Sequence, residues 1–268
     1  MAGHSKWANI KRQKARVDAV KGKVFTKISR EIIVAARSGV PDPAANFQLR
    51  TAIEKAKAAS IPADNIDRAI AKGAGRGADN VELEAIRYEG YGSGGVAVLI
   101  EALTDNRNRT AATLREAFSK NGGNLGESGC VGWMFEQKGL VEVVMTTSQV
   151  KRGRNRTLDD AVNEEEFLDV CLEGGAETYE LIDTEDGTVA EVLTEVENLE
   201  ALSQTLKNKY TVSLVDLRWI PTTTIEVDHP DRARSILKLM DALEDLDDVQ
   251  TVTANFEMTA DLMASTFA

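Results

Sequence analysis

The sequence predicts a multi-domain α+β fold: an N-terminal helical bundle and two α/β domains, the third ferredoxin-like and inserted in the second. Three observations predict it. Apolar residues recur at helical spacing through the first 80 positions. Glycines at 73, 75 and 77 then interrupt that pattern. From position 87 onward, short alternating or apolar runs interleave with helical stripes, as expected of sheets covered by helices. With 268 residues, 43% of them hydrophobic, the chain can bury two or three cores.

The elements follow in order. Phe25, Ile28, Ile32 and Ala35 form one helical stripe, ended by Gly39, Pro41 and Pro43. Leu49, Ile53 and Ala56 mark a second helix. Pro62 suits the first turn of a third, which carries Ile66 and Ile70 and stops at Gly73. Each is short and needs the others to be stable. Trp7, Ile10, Val24, Phe25, Ile28 and Ile32 are expected core anchors, which argues against a cleaved transit peptide.

Beyond the glycine link, 87–91 and 96–103 read as strands joined by a Gly-Ser-Gly-Gly turn. Ala111, Leu114, Ala117 and Phe118 give a helix closed by Lys120, Asn121 and Gly122, and 121–129 reads as a turn needing positive φ. From Trp133 the order is strand (133–135 with 140–145), helix (165–172), strand (178–182), strand (189–195), helix (199–208), strand (211–219), the split βαβ arrangement. After Pro221 come a strand (222–227), a helix (232–243) and a strand (249–256), expected to complete the sheet begun at Arg87. The domains are therefore 1–80, 81–132 with 220–257, and the insertion 133–219. Residues 258–268 are expected to form a mobile tail.

Charge is sharply segregated. The first 37 residues hold ten Lys or Arg and two acids, a local +8 in a chain of net −11, so the remainder carries −19. Such a head attracts polyanions, or docks on the protein's own acidic surface; the sequence leaves both open. Lys6, Lys11, Lys14 and Lys21 recur near one or two helical turns and can share a face, widened by Arg12, Arg16, Lys23, Lys27 and Arg30. Six phosphate contacts from this set would give a salt slope of about −5 on duplex DNA. They would position the protein without reading sequence.

The run 104–110 follows a strand and opens a helix. Asn106 or Asn108 can cap it, and with Arg107 and Arg109 beside the first amides it is a candidate anion site or a plain strand-to-helix turn. Trp7 either packs between helices or stacks on a base. His4 has no metal-ligating neighbour, and His4 and His229 complete no catalytic arrangement. The 73–77 glycines lack a phosphate-loop ending and read as a hinge. Acidic pairs such as Asp159-Asp160 and Asp247-Asp248 read as solvent-facing. No cofactor, metal or catalytic residue is expected. No apolar run approaches the ~18 residues of a membrane span, so no membrane partner is expected either. Cys130 and Cys171 suit a reducing cytosol better than a disulfide scaffold.

Long motifs across the chain resemble the YebC family: Ala2 to Lys11 (AGHSKWANIK), Gly22 to Lys27 (GKVFTK), Tyr88 to Gly92 (YEGYG), Leu103 to Thr110 (LTDNRNRT) and Ser119 to Gly126 (SKNGGNLG). The resemblance implies three domains, one inserted in another, and a cytoplasmic, non-enzymatic regulator of gene expression that binds DNA. It also implies an alternative, a ribosome-associated translation factor contacting rRNA, since organellar relatives activate translation. The acidic α/β domains would then meet ribosomal or other protein partners. Residues 148–160, with Lys151, Arg152, Arg154 and Arg156, depart from the family pattern as an insertion, read as a solvated loop or a second basic contact. The tail from Met258 also extends past the usual end.

Overall fold

In a computed structural model of the chain, residues 18–75, 83–146, 162–184, 187–259 and 262 are described, with side chains from residue 22 onward. The first apolar stripe forms α1 (Asp18–Ser38), which buries Ile28, Ile32, Ala35 and Ala36. Val24 belongs to no core: it lies off the stripe and is exposed. Asn46 starts α2 (Phe47–Ala58) by accepting the Leu49 amide at 3.0 Å, and its Nδ2 donates to the carbonyls of Ala35 and Val40. One residue thus caps a helix and ties it to α1. Pro62 precedes α3 (Ala63–Gly73). The three helices share a core of Ile28, Ile32, Leu49, Ile53, Ala56 and Ile66.

Gly73 does more than end α3. A Cβ there would lie 2.5 Å from the Ile33 carbonyl oxygen and 2.7 Å from Ala36 Cβ, so hydrogen alone permits the close approach of α1 and α3. Gly73→Ala should therefore destabilise the bundle by about 1–3 kcal/mol, although alanine is the better helix former. Urea unfolding followed by circular dichroism measures this; a stabilised variant would show that the helices separate freely.

The chain continues through β1 (Glu84–Tyr91), β2 (Ala97–Thr104), α4 (Arg107–Lys120) and β3 (Asn124–Leu125). It then runs through β4 (Phe135–Val144), α5 (Glu164–Glu173), β5 (Thr178–Thr184), β6 (Gly187–Thr194), α6 (Leu199–Lys209) and β7 (Val212–Pro221). The final elements are β8 (Ile225–Glu226), α7 (Pro230–Glu244), β9 (Val249–Ala254) and β10 (Phe256–Glu257).

Two compact units emerge, one of residues 137–220 and the other of the segments before and after it. In the first, the strand order β5-β6-β4-β7 is that of a ferredoxin-like sheet. Phe167 is fully buried there, edge-on to Tyr179 and Tyr210. In the second, the sheet order is β3-β1-β2-β9. Val98, Ile100 and Val252 from its strands share a core with Leu114 and Phe118 of α4 and Ile236 and Met240 of α7.

Local physics overrode the sequence pattern at several points. Trp133 opens no strand: Gly132–Met134 is a 3-10 turn, because the amides of Val131 and Gly132 are drawn to the Glu89 carboxylate. Residues 135–144 then form one unbroken strand. The expected strand 222–227 shrinks to Ile225–Glu226, which pairs in parallel with β10 in a separate two-stranded sheet. The expected strand 249–256 breaks at Asn255, whose Oδ1 accepts the Ala97 amide at 2.7 Å. Met258, assigned to a mobile tail, is buried in the core with Phe256, and Leu262 packs against the same cluster. The insertion 148–160 lies outside the described residues.

Candidate nucleic-acid interface

Lys6, Lys11, Arg12, Lys14 and Arg16 lie outside the described residues, as do Trp7 and His4, and Lys21 lies in α1 without a described side chain. The next three cations are placed. Lys23, Lys27 and Arg30, at i, i+4 and i+7, share one face of α1. They meet the C-terminal end of α7 and the acidic turn after it. Lys23 Nζ lies 3.3 Å from Asp245 Oδ1 and 3.2 Å from the Asp245 carbonyl oxygen. Lys27 Nζ donates to the Glu244 carbonyl at 2.8 Å. Arg30 Nη1 donates to Asp248 Oδ1 at 2.9 Å and also reaches the carbonyls of Asp247 and Leu103. Cations are favoured at a helix C-terminus, where orphan carbonyls concentrate negative potential. Of the two outcomes left open for the basic head, docking on the protein's own acids is therefore the one these three residues adopt.

The 104–110 turn is built as the capping residues demand. Asn106 accepts the Arg109 amide at 3.0 Å and starts α4, while Thr104 Oγ1 accepts the Asn106 amide at 2.9 Å. The anion beside this helix start is the protein's own. Asp248 Oδ2 accepts from Arg109 Nη2 at 3.0 Å and from the Thr110 hydroxyl at 2.7 Å, and it lies 3.3 Å from Thr104 Oγ1. Arg109 also pairs with Asp105 at 2.6 Å. Arg107 is exposed, 3.5 Å from Glu84, and Asn108 is exposed on the first turn. Asp248 is thus not solvent-facing: its side chain is 12% exposed and joins α1, the β2–α4 turn and the start of β9.

Burial pushes the Asp248 carboxyl up, but the hydrogen bonds from Thr110 and Arg109 and the charges of Arg109 and Arg30 outweigh it and hold the group below its ordinary value. A second carboxylate is organised in the same way. Glu89, 3% exposed, accepts the amides of Gly129 (2.8 Å), Val131 (2.7 Å) and Gly132 (2.7 Å). Its burial likewise acts upward, and the three backbone donors and Arg87 bring it below the usual carboxylate range. The 121–129 stretch does include positive φ, at Gly122 and Gly129, and it also helps cradle this internal anion. Both groups contribute stability that is complete above their unfolded values near pH 4 and is lost as pH falls through the lower folded values. The urea midpoint should accordingly hold steady from pH 7 to 5 and fall below pH 4. A flat midpoint down to pH 3 would rule this out.

Thr104 and Thr110 bound the run singled out in the sequence and Glu89 lies in the YEGYG motif, but Asp248 carries no local sequence signal as a site residue. Thr110 and Asp248 are 138 positions apart. Among the described residues no cluster of three or more His, Cys, Asp or Glu could hold a metal ion, and no helix is long and apolar enough to cross a membrane.

The profile of the TACO1/YebC protein N-terminal domain matches residues 5–76, and that of the TACO1/YebC second and third domain matches 83–256. A protein of Gloeothece citriformis and one of Trichormus variabilis, each named a probable transcriptional regulatory protein, are 66% identical over the full length of both chains. A likewise-named protein of Nostoc punctiforme is 66% identical over 98% of each. The crystal structure of a conserved hypothetical protein from Aquifex aeolicus is 44% identical, with a TM-score of 0.78 over 91% of this chain and 93% of that one.

Proposed function

The chain belongs to the TACO1/YebC family, and from that premise we propose that it is a non-enzymatic regulator of gene expression that binds duplex DNA through its basic N-terminal head. The observation that carries this reading is the charge segregation, +8 on the first 37 residues against −19 on the rest. The naming of close relatives as probable transcriptional regulatory proteins supports it. Lys6, Lys11, Arg12, Lys14, Arg16 and Lys21 are the phosphate contacts, with Arg107 and Asn108 a secondary patch. Arg109 and Arg30 serve chiefly as partners of Asp248. The unpaired thiols of Cys130 and Cys171 fit a cytoplasmic setting.

The test is a salt titration of binding to a 20-base-pair duplex by fluorescence anisotropy. Six contacts give a log–log slope of about −5, so affinity falls about 10³-fold between 50 and 200 mM salt. Absence of any salt-sensitive binding would remove the reading.

One observation favours a ribosomal target instead. Helices α2 and α3 are consecutive and joined by a short turn, as in a DNA-reading pair, but α3 opens Ala63-Asp64-Asn65. The N-terminal turn of a recognition helix contacts base edges between phosphates, where Asp64 is repelled. A protein that grips phosphates without reading bases suits rRNA equally. Co-migration with ribosomes on a sucrose gradient in physiological salt supports that alternative, and purely free protein opposes it.

A further inference from the structure

We propose that the acidic turn after α7 is an internal competitor for the cationic face of α1, so that a polyanion engages this face only when the helical bundle undocks; the proposal rests on the nucleic-acid reading above. Lys23, Lys27 and Arg30 present one row of cations, and the turn presents one row of oxygens to them. These are the carboxylates of Asp245 and Asp248 and the carbonyls of Glu244, Asp245 and Asp247. Those acceptors are of the same chemical kind as phosphate oxygens and are strengthened by the end of the α7 dipole.

The two occupants exclude each other. The carboxylates of Asp245 and Asp248 sit where a phosphate backbone would have to lie, and like charges at that range repel. The contact is also built to open. The Lys23–Asp245 pair is solvent-exposed and therefore weak. When Arg30 leaves, Asp248 keeps Arg109 and Thr110, so no buried charge is left without a partner. The carbonyls at the end of α7 turn to water, as helix ends commonly do. A bundle docked most of the time lowers apparent affinity by the fraction that is undocked.

The test uses the full chain carrying Asp245→Asn with Asp248→Asn. Its control is Glu173→Gln with Glu197→Gln, two exposed acids of the inserted domain whose neutralisation changes net charge equally. Affinity for a 20-base-pair duplex is measured for each. The clamp variant should bind about three- to tenfold more tightly than the control. Asp245→Asn alone, at an exposed pair that folding does not need, should move affinity in the same direction by less. Spin labels at Ser38→Cys and Ser119→Cys, in a Cys130→Ala and Cys171→Ala background, report docking directly. The distance distribution should be narrow in the free protein and broaden both with duplex and in the clamp variant. If the wild type binds duplex, but the clamp variant matches the control in affinity and the wild type in distance, the clamp is overturned and the nucleic-acid reading stands. If no form binds, both fall together.

Discussion

Replacing Glu89 by alanine lowers the melting temperature of the unit that contains β1 by roughly 6–12 °C, corresponding to at least about 3 kcal/mol. The carboxylate is buried and accepts three backbone amides from the 129–132 segment. Each hydrogen bond to a charged acceptor contributes about 1.5–3 kcal/mol, and a buried donor left without an acceptor costs a further 1–3. The terms are not additive, because the loop can swing partly into water, so the expected loss lies well below their sum. Gln is the informative control. Its single oxygen can serve the amides of Val131 and Gly132, which share Oε2, while its amide nitrogen faces the Gly129 N–H, donor against donor. Glu89→Gln should therefore recover about half of the loss. The consequence is visible in the surface as well. The segment holds the Cys130 carbonyl, which accepts from Tyr91 Oη at 2.9 Å and from the Trp133 indole at 3.2 Å. Trp133 emission should shift in the alanine variant. A melt within 1 °C of the parent would mean that solvent, not Glu89, satisfies those amides.

Reversing Lys11 and Lys14 to glutamate should weaken binding to duplex DNA by roughly 10- to 100-fold at moderate salt, equally for all sequences, and make the salt slope shallower by about 2. The two positions are three apart in the sequence, a spacing at which helical residues share a face, so both reversals would act on one phosphate track under the proposed reading. Uniformity across sequences is the informative part. Phosphate contacts carry register but no base identity, so a loss confined to one operator would point to base reading instead. Lys23, Lys27 and Arg30 are the wrong residues for this test, because reversing them also breaks their contacts with the α7 end. Unchanged affinity in the Lys11→Glu, Lys14→Glu protein would move the contact off this segment.

Much of the architecture was legible along the chain. The stripes of α1, α2 and α4 and the order of strands and helices in the 137–220 unit follow from periodicity alone, because a helix or strand that must bury one face repeats its apolar residues at 3.6 or 2.0. The failures share a cause. Trp133, Asn255 and Met258 were misplaced where a side chain or backbone group from a distant segment decided the outcome: Glu89 for the turn at Trp133, Ala97 for the break at Asn255, and the apolar core for Met258.

The candidate site divides along the same line. By itself the sequence determined which helices form, that cations crowd into the first 37 residues, and that an asparagine, Asn106 or Asn108, can cap a helix beside two arginines. These are local or compositional quantities, summed over neighbours in the chain. Only the tertiary structure decided where the charges are spent. Asp248, among a run of acids that look alike in sequence, is drawn between Arg30, Arg109 and Thr110, while Asp247 beside it remains exposed. A Coulomb or hydrogen-bond term depends on separation in space, and residues 138 positions apart acquire a separation of 2.7 Å only once the sheet and helices between them have packed.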